Sequence, residues 1–449
     1  MMKRRSSKAL MAFVISFPLF AVSVEAEVAR DPGPRPTGTN NQPHPLDGLT
    51  TGQTALFNAG MAKFQEREAV KDGLGPTMNL DSCGGCHAQP AVGGTSPAKN
   101  PQFIFFNDYL RKTNRLPPFI TENGPVREVR FKRNPDGTAD GGVHDIFTIT
   151  GLEGAEGCFL KQPNFLPRRN IIFRIPTPTF GTGLIEQIPD QTIIDNQTTP
   201  TSHRYGVRGR LNIVNAGHTI AVRTNRNGND GTIARFGWKA QNKSLLVFSG
   251  EAYNVEMGIT NELFQTERDE TPACQKAATP NDTTNTDSSG LGVLSDIEDF
   301  ASFMRFLAAP VPSTDEPGGA PSITNGKQRF HQVGCTACHT PTLRTGHSTV
   351  AALDNKDVNL YSDLAIHDMG IGLADGISQG QANGREFRSA PLWGLGQRLF
   401  FLHDGRTKDL VQAIREHRSP GSEANGIVRQ FFRLRSKDQQ DLLNFLRSL

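Results

Sequence analysis

Apolar side chains recur at helical spacing in several separated stretches of the chain. Leu56, Met61 and Phe64 share one face of a predicted helix over 51–64. Ile297, Phe300, Met304 and Leu307 repeat the pattern, and Ser295 with Glu298 forms a capping-box pair ahead of them. A helix over 322–333 follows a linker at 310–321. Leu442, Phe445, Leu446 and Leu449 stripe a last helix behind Ser436 and Gln439, a second capping-box pattern. Residues 241–257 read as a further helix, and 410–417 as a short one. In that short helix Leu410, Ala413, Ile414 and His417 fall on one face, apolar except for the histidine.

Between the helical stretches the period changes. Val126, Val129 and Phe131, then Val143, Ile146, Phe147 and Ile149, predict short strands around the turn Asn134-Pro135-Asp136-Gly137. Another strand is predicted at 171–175 and a hairpin at 211–224. Residues 276–290 are polar without apolar period and read as a loop. The expected fold class is mainly α with irregular and minor β insertions.

The 449 residues suffice for two domains. Hydrophobic residues make up 36%, with 45 Gly and 29 Pro, so the chain is loop-rich and its core has room to be completed by bound groups. A formal charge of +3 without basic runs gives no footprint for nucleic acid. Lys3, Arg4 and Arg5, the apolar run 9–24 and Val24-Glu25-Ala26 predict a signal peptide over 1–26; an uncleaved anchor is the alternative. Pro18 interrupts that run, and no later segment is apolar and long enough to span a membrane, so an exported mature chain is expected. Residues 27–45, rich in Pro, Gly and Asn, are expected to be a flexible N-terminus.

Six cysteines sharpen the picture. Four lie in Cys83-Gly84-Gly85-Cys86-His87 and Cys335-Thr336-Ala337-Cys338-His339. Two cysteines separated by two residues, with a histidine directly after, form the attachment pattern for c-type haem. The thiols add to the haem vinyl groups, and the histidine supplies an axial nitrogen to iron. A structural zinc and redox dithiols are the alternatives, but neither needs the histidine that follows both pairs. Two covalent haems are therefore expected, at Cys83, Cys86 and His87, and at Cys335, Cys338 and His339. Gly93 and Gly94 are expected to let backbone pass close to the first flat ligand. Cys158 and Cys274 remain, either as a disulfide of an oxidising compartment or as two buried thiols. The domain plan is an N-terminal haem domain over 46–290, with a β-containing insertion, and a C-terminal cytochrome c-like haem domain over 291–449.

Several stretches resemble the bacterial di-haem oxidoreductases of the peroxidase-like, thiol-oxidoreductase-like family. They are Gly73-Leu74-Gly75-Pro76, Ser82 to His87, Gly183-Leu184-Ile185-Glu186 and Arg235-Phe236-Gly237-Trp238-Lys239-Ala240. Tyr361-Ser362-Asp363-Leu364, His367-Asp368-Met369-Gly370, Gly384-Arg385-Glu386-Phe387-Arg388 and Phe401-Leu402-His403-Asp404-Gly405-Arg406 complete the set. The C-terminal part is also similar to the di-haem cytochrome c peroxidases and to the related enzyme that matures methylamine dehydrogenase.

The resemblance implies one six-coordinate relay haem and one haem with an open distal face for peroxide or another small oxidant. In the peroxidases a methionine ligates the C-terminal haem at a fixed spacing beyond the His-Asp-Gly segment; the same spacing from His403 leads to His417. Histidine in place of methionine stabilises ferric iron and lowers the potential. Residues 418–424 are longer than the family's Gly-Gly-Glu-Ala segment, a local insertion. His367 and Met369 are the alternatives to His417, while His403 is expected to order loops. No histidine lies between His87 and His144, so the first iron is expected to be open, with Met78 the alternative ligand. Glu186, in the family's Gly-Leu-Ile-Glu segment, is the expected acid–base group; the alternative is a helix-start carboxylate. Trp238 or Trp393 is a candidate relay between haems. Calcium is implied by analogy only, and a small cytochrome or cupredoxin is the expected partner. The function expected is a periplasmic di-haem peroxidase-like enzyme; the alternatives are a pure electron carrier and a maturation enzyme that oxidises a partner protein.

Overall fold

The computed structural model describes residues 28–36, 43–166, 169–197, 205–213, 233–286 and 292–449. Helix α1 (Thr51–Gln65) starts at Thr50, whose hydroxyl accepts from Gln53 N while the Gln53 side chain accepts from Thr50 N. It leads through β1 (Thr77–Met78) into the helical turn α2 (Cys83–Cys86) that holds the first cysteine pair. Then come β2 (Glu128–Phe131), β3 (Phe147–Thr148), β4 (Ile171–Arg174) and the short helix α3 (Thr182–Glu186). The sheets are two-stranded and antiparallel: β1 pairs β3, and β2 pairs β4 with Val129 opposite Phe173. The expected hairpin at 211–224 falls mostly outside the described residues, as does the expected signal peptide.

Helix α4 (Leu245–Met257) is capped by Ser244 and ends at Gly258, φ +69°. Helix α5 (Asp296–Phe306) carries the predicted Ser295–Glu298 capping box, and the Asp282 carboxylate accepts from its first two N–H groups. Helix α6 (Ala320–Val333) ends at Gly334, φ +96°, whose left-handed turn swings the chain into Cys335. A Cβ there would lie 2.6 Å from the Tyr205 ring, so both conformation and space ask for glycine. β5 (Ile366–Asp368) pairs with β6 (Glu386–Arg388). The chain closes with α7 (Leu410–Glu416), α8 (Asn425–Arg433) and α9 (Ser436–Ser448). The predicted Ser436–Gln439 box is not formed: Arg435 stands at the cap, and the Gln439 amide donates to Leu434 O instead.

The two units close in the same way. Helix α1 precedes the first cysteine pair and crosses α5 at Gly60, where a Cβ would lie 2.2 Å from Asp299 O. Helix α6 precedes the second pair and crosses α9 at Gly326, where a Cβ would lie 1.9 Å from Asp441 O. Around the first crossing pack Phe57, Phe64, Phe300 and Phe303; around the second, Phe330, Leu442 and Phe445. The helix beginning at 295 therefore packs with the first unit, not with the second as the expected boundary at 291 had it. Its apolar face meets α1, and the chain crosses over only in the stretch that follows α5.

Two further expectations are settled. Cys158 and Cys274 form a disulfide. Part of the segment expected to be a flexible N-terminus is held: the Asp31 carboxylate pairs with Arg447 of α9 at 2.6 Å, and Arg35 N donates to Gly396 O.

Candidate haem sites

Each Cys-x-x-Cys-His stretch borders a cavity. The second, about 1380 Å³, is lined by Cys335, Cys338 and His339 and walled by Phe330, Phe401, Phe431 and Leu442. His339 Nδ1 donates to Tyr361 O at 3.0 Å, which leaves Nε2 as the free lone pair. Burial pushes the His339 pKa down to about 4, so the ring is neutral and able to bind a metal.

His417, the first residue after α7, lines the same cavity. Its Nδ1 donates to Ala413 O at 2.7 Å, and burial lowers its pKa as well. The two imidazoles thus share one tautomer and one cavity. His367 does not compete with them. Its Nε2 faces Asp363 at 3.0 Å and its Nδ1 faces Glu423 at 3.1 Å. Burial opposes its protonation, but the Asp363 carboxylate at its Nε2 acts to raise the pKa. A protonated ring with both nitrogens engaged has no lone pair for iron. Met369 also lines the cavity wall. His403 stacks on Phe387, centroids 4.3 Å apart, and faces the cavity rather than only ordering loops.

The first cavity, about 1010 Å³, is lined by Cys83, Cys86 and His87. Its histidine is prepared like the other: Nδ1 donates to Gly94 O at 2.9 Å, and burial pushes the pKa down to about 4. Gly94 has no room for a side chain because a Cβ would lie 1.9 Å from Gln89 O. The glycine thus serves the turn that orients His87, not the approach of a flat ligand. Among the described residues lining this cavity, His87 is the only imidazole; Met257 and Met304 are also in its wall. Met78 is not: it is fully buried in β1 opposite Phe147.

Glu186 is placed elsewhere than expected. It ends α3, fully buried and outside the cavity wall. One carboxylate oxygen accepts from Leu245 N at 2.9 Å, at the start of α4, and the other from Arg305 Nε at 2.8 Å. Both oxygens are committed to holding α3, α4 and α5 together, so it has none to offer a substrate.

The acids of the first cavity are Glu128 on β2 and Glu256 on α4. Each acts on the other's protonation. Burial and the Glu128 charge hold Glu256 well above the ordinary carboxyl range, while Asn79 Nδ2 donates to it at 2.8 Å. Burial works against Glu128 too, but Arg130 and Arg174 keep it below the usual value. The opposite shifts favour a proton on Glu256 and a charge on Glu128. Sequence reasoning missed both. The only trace was strand alternation, which puts Glu128 and Arg130 on one face of β2 and Val129 on the other. Behind Glu256, Asn79 Nδ2 also donates to Asp145 Oδ1 at 3.0 Å, and burial pushes the Asp145 pKa up to about 7.

Trp238 lines both cavities, and its Nε1 donates to Ile175 O at 2.9 Å. Trp393 lines neither; it packs on Gly181. Beside the second cavity lie Arg388 and Arg398, half-buried and without a carboxylate partner among the described residues. Burial pushes both pKa values down to about 10. Two cations in the wall of an apolar cavity suit an acidic group on a bound ring system. Cavities bordered by two thiols and a neutral imidazole, as each of these is, fit haem. Among the described residues no group of three His, Cys, Asp or Glu is arranged for a metal ion, so calcium stays an analogy. No helix among them is long and apolar enough to cross a membrane.

Comparison with known proteins agrees with this geometry. No curated protein is similar enough to match. The chain is weakly similar to a hydrazine synthase structure from Kuenenia stuttgartiensis, at 12% identity and TM-score 0.35, over 98% of this chain and 100% of that one. It is likewise similar to a diheme peroxidase from Burkholderia thailandensis, at 12% identity and TM-score 0.30, over 56% of this chain and 77% of that one. At such scores neither likeness bears on the argument. A family model described as "Di-haem oxidoreductase, putative peroxidase" matches residues 166–449, more than half of the chain. With two cavities, each closed by a Cys-x-x-Cys-His stretch, and this match, the chain belongs to the di-haem oxidoreductase family and is a peroxidase-like oxidoreductase.

Proposed function

We propose that the protein is a periplasmic peroxidase with two covalent c-type haems, in which the C-terminal haem relays electrons and the N-terminal haem reacts with hydrogen peroxide. The difference between the two cavities supports this reading most. One holds a second neutral imidazole, His417, beside His339; the other holds His87 with the Glu128–Glu256 pair. In this reading Cys83, Cys86, Cys335 and Cys338 form the thioether links, and Arg388 and Arg398 neutralise haem carboxylates. Bound haem supplies the redox iron of each site.

The residues around the first site do the proton work. Reducing peroxide requires a proton on the departing oxygen, and the acid of the Glu128–Glu256 pair is the group with one to give. Arg130 and Arg174 keep the remaining carboxylate charged, ready to take a proton back. Trp238, in the wall of both cavities, lies on the electron route between them. Electrons enter from a small cytochrome or cupredoxin.

Met257 and Met304 favour a second reading. If one of their sulfurs bound the first iron, the protein would be a pure electron carrier. The spectrum of the purified ferric protein decides between them. One high-spin and one low-spin haem is the result expected; two low-spin haems would overturn the peroxidase reading.

A further inference from the structure

Tyr253 is left without a task by the peroxide chemistry, and its surroundings are unusual. It lies on α4, 1% exposed, in the wall of the first cavity. Its ring meets Phe300 edge-on at 5.0 Å, Phe300 meets Phe64 at 6.1 Å, and Phe64 stands 5.8 Å from the His87 ring. The phenol oxygen lies 3.0 Å from Glu68 Oε1 and 3.1 Å from Asp296 Oδ2.

A buried phenol needs one acceptor for its single proton. Here two carboxyl groups converge on it. Glu68 is 7% exposed, and burial pushes its pKa up to about 7, with the Tyr253 bond opposing. Near neutral pH this group gains or loses a proton readily. Asp296 reaches outward: its side chain is 23% exposed and pairs with Lys63 at 3.1 Å. A continuous polar route therefore runs from the cavity wall to the surface. Satisfying the hydroxyl alone would need neither the second acid nor the route, and placing two acids beside a buried phenol carries a desolvation cost.

We propose that Tyr253 is a redox-active tyrosine, which gives one electron to the peroxide-oxidised first haem while its phenolic proton passes to the Glu68–Asp296 carboxyl pair. The proposal rests on the reading of the first cavity as the peroxide site. The balance is complete. Hydrogen peroxide takes two electrons from the site and, with two protons, becomes two waters. The Tyr253 O–H bond breaks; its electron returns to the haem site and its proton binds a carboxylate oxygen. A neutral tyrosyl radical and a carboxylic acid remain, and the second oxidising equivalent stays at the haem site until the donor protein reduces it. Without a base the phenol would have to become a cation inside an apolar wall, where an unpaired charge is strongly disfavoured. A later electron from the donor protein reverses the step, and the carboxyl group returns the proton. The site thus stores one oxidising equivalent in the protein rather than on either haem.

The test mixes the purified two-haem protein with hydrogen peroxide and freezes it for electron paramagnetic resonance while haem absorption is followed in parallel. The expected result is an organic radical whose signal narrows when ring-deuterated tyrosine is incorporated, and which is lost in Tyr253→Phe. In Glu68→Gln/Asp296→Asn, where Tyr253 remains but its base is gone, the radical is lost as well; a purely structural cluster would leave it in place. If haem absorption responds to peroxide but no tyrosyl radical forms, or the radical persists in Tyr253→Phe, this proposal alone is overturned. If haem absorption does not respond at all, the peroxide reading falls and takes this proposal with it.

Discussion

His339 and His417 enter one cavity with the same preparation: each donates Nδ1–H to a backbone carbonyl, at 3.0 and 2.7 Å, and keeps Nε2 free. Neither carbonyl can accept from Nε2 without turning the ring, so the tautomer is imposed by the backbone. His417→Met is expected to keep the second haem low-spin, add a sulfur-to-iron charge-transfer band and raise its potential, within the ~0.8 V that axial ligation spans. His417→Gly is expected to convert that haem to high-spin. Unchanged spectrum and potential in both variants would transfer the assignment to Met369.

Glu186 and Glu256 are expected to separate stability from activity. Glu186→Ala removes the partner of Arg305 and of the α4 N-terminus, and should cost about 3 kcal/mol in thermal or denaturant unfolding. Its peroxide rate should stay near that of the parent. Glu256→Gln should fold normally and lose ~10²–10⁴ in the rate of the peroxide step. Stopped-flow kinetics beside unfolding curves would show it, and the opposite pattern would restore Glu186 to the mechanism.

Trp238→Phe is expected to slow electron transfer between the haems by about tenfold, equivalent to ~1.4 kcal/mol of barrier, while Trp393→Phe leaves it unchanged. Pulse radiolysis, reading the reoxidation of one haem by the other, measures this directly. Equal rates in both variants would remove Trp238 from the route.

Asp145 ties pH to stability. Its folded pKa of about 7 lies above the ordinary aspartate value of 3.8. Between those values the folded chain keeps a proton that the unfolded chain has lost. Stability from this group is therefore greatest below about pH 4 and declines as pH rises toward 7, by up to a few kcal/mol. Asp145→Asn keeps an acceptor for Asn79 and removes the titration. Chemical unfolding at several pH values should show a flatter profile for the variant; an identical slope would mean that Asp145 is ionised throughout.

The parts that were legible in the sequence are those encoded locally. Both Cys-x-x-Cys-His stretches lie beside cavities, and the Ser295–Glu298 box forms because cap and acceptor lie within one turn. His417 was reached only through the family's spacing from His403, and what the structure adds is its place in the wall of the second cavity. The acids of the first cavity were not legible. Glu128 and Glu256 come from a strand and a distant helix, and neither has a neighbour in sequence that announces the other. Glu186 misled because its motif marks a packing junction: a buried carboxylate between two helices leaves the same sequence trace as a catalytic one. The domain boundary failed for a similar reason. A capping box shows where a helix starts but not which core it joins, and for α5 that is decided by the missing side chain at Gly60.

That glycine also sets an order of events. A chain made from its N-terminus displays Cys83 and Cys86 long before Asp299, the backbone that Gly60 must meet, has been synthesised. The first unit therefore cannot shut before its cysteines have been on offer, whereas α9, which shuts the second, follows its own pair after a much shorter stretch. If haem is attached at these cysteines as proposed, the two units offer unequal windows for it, and the wider one belongs to the unit that waits longest for its closing helix.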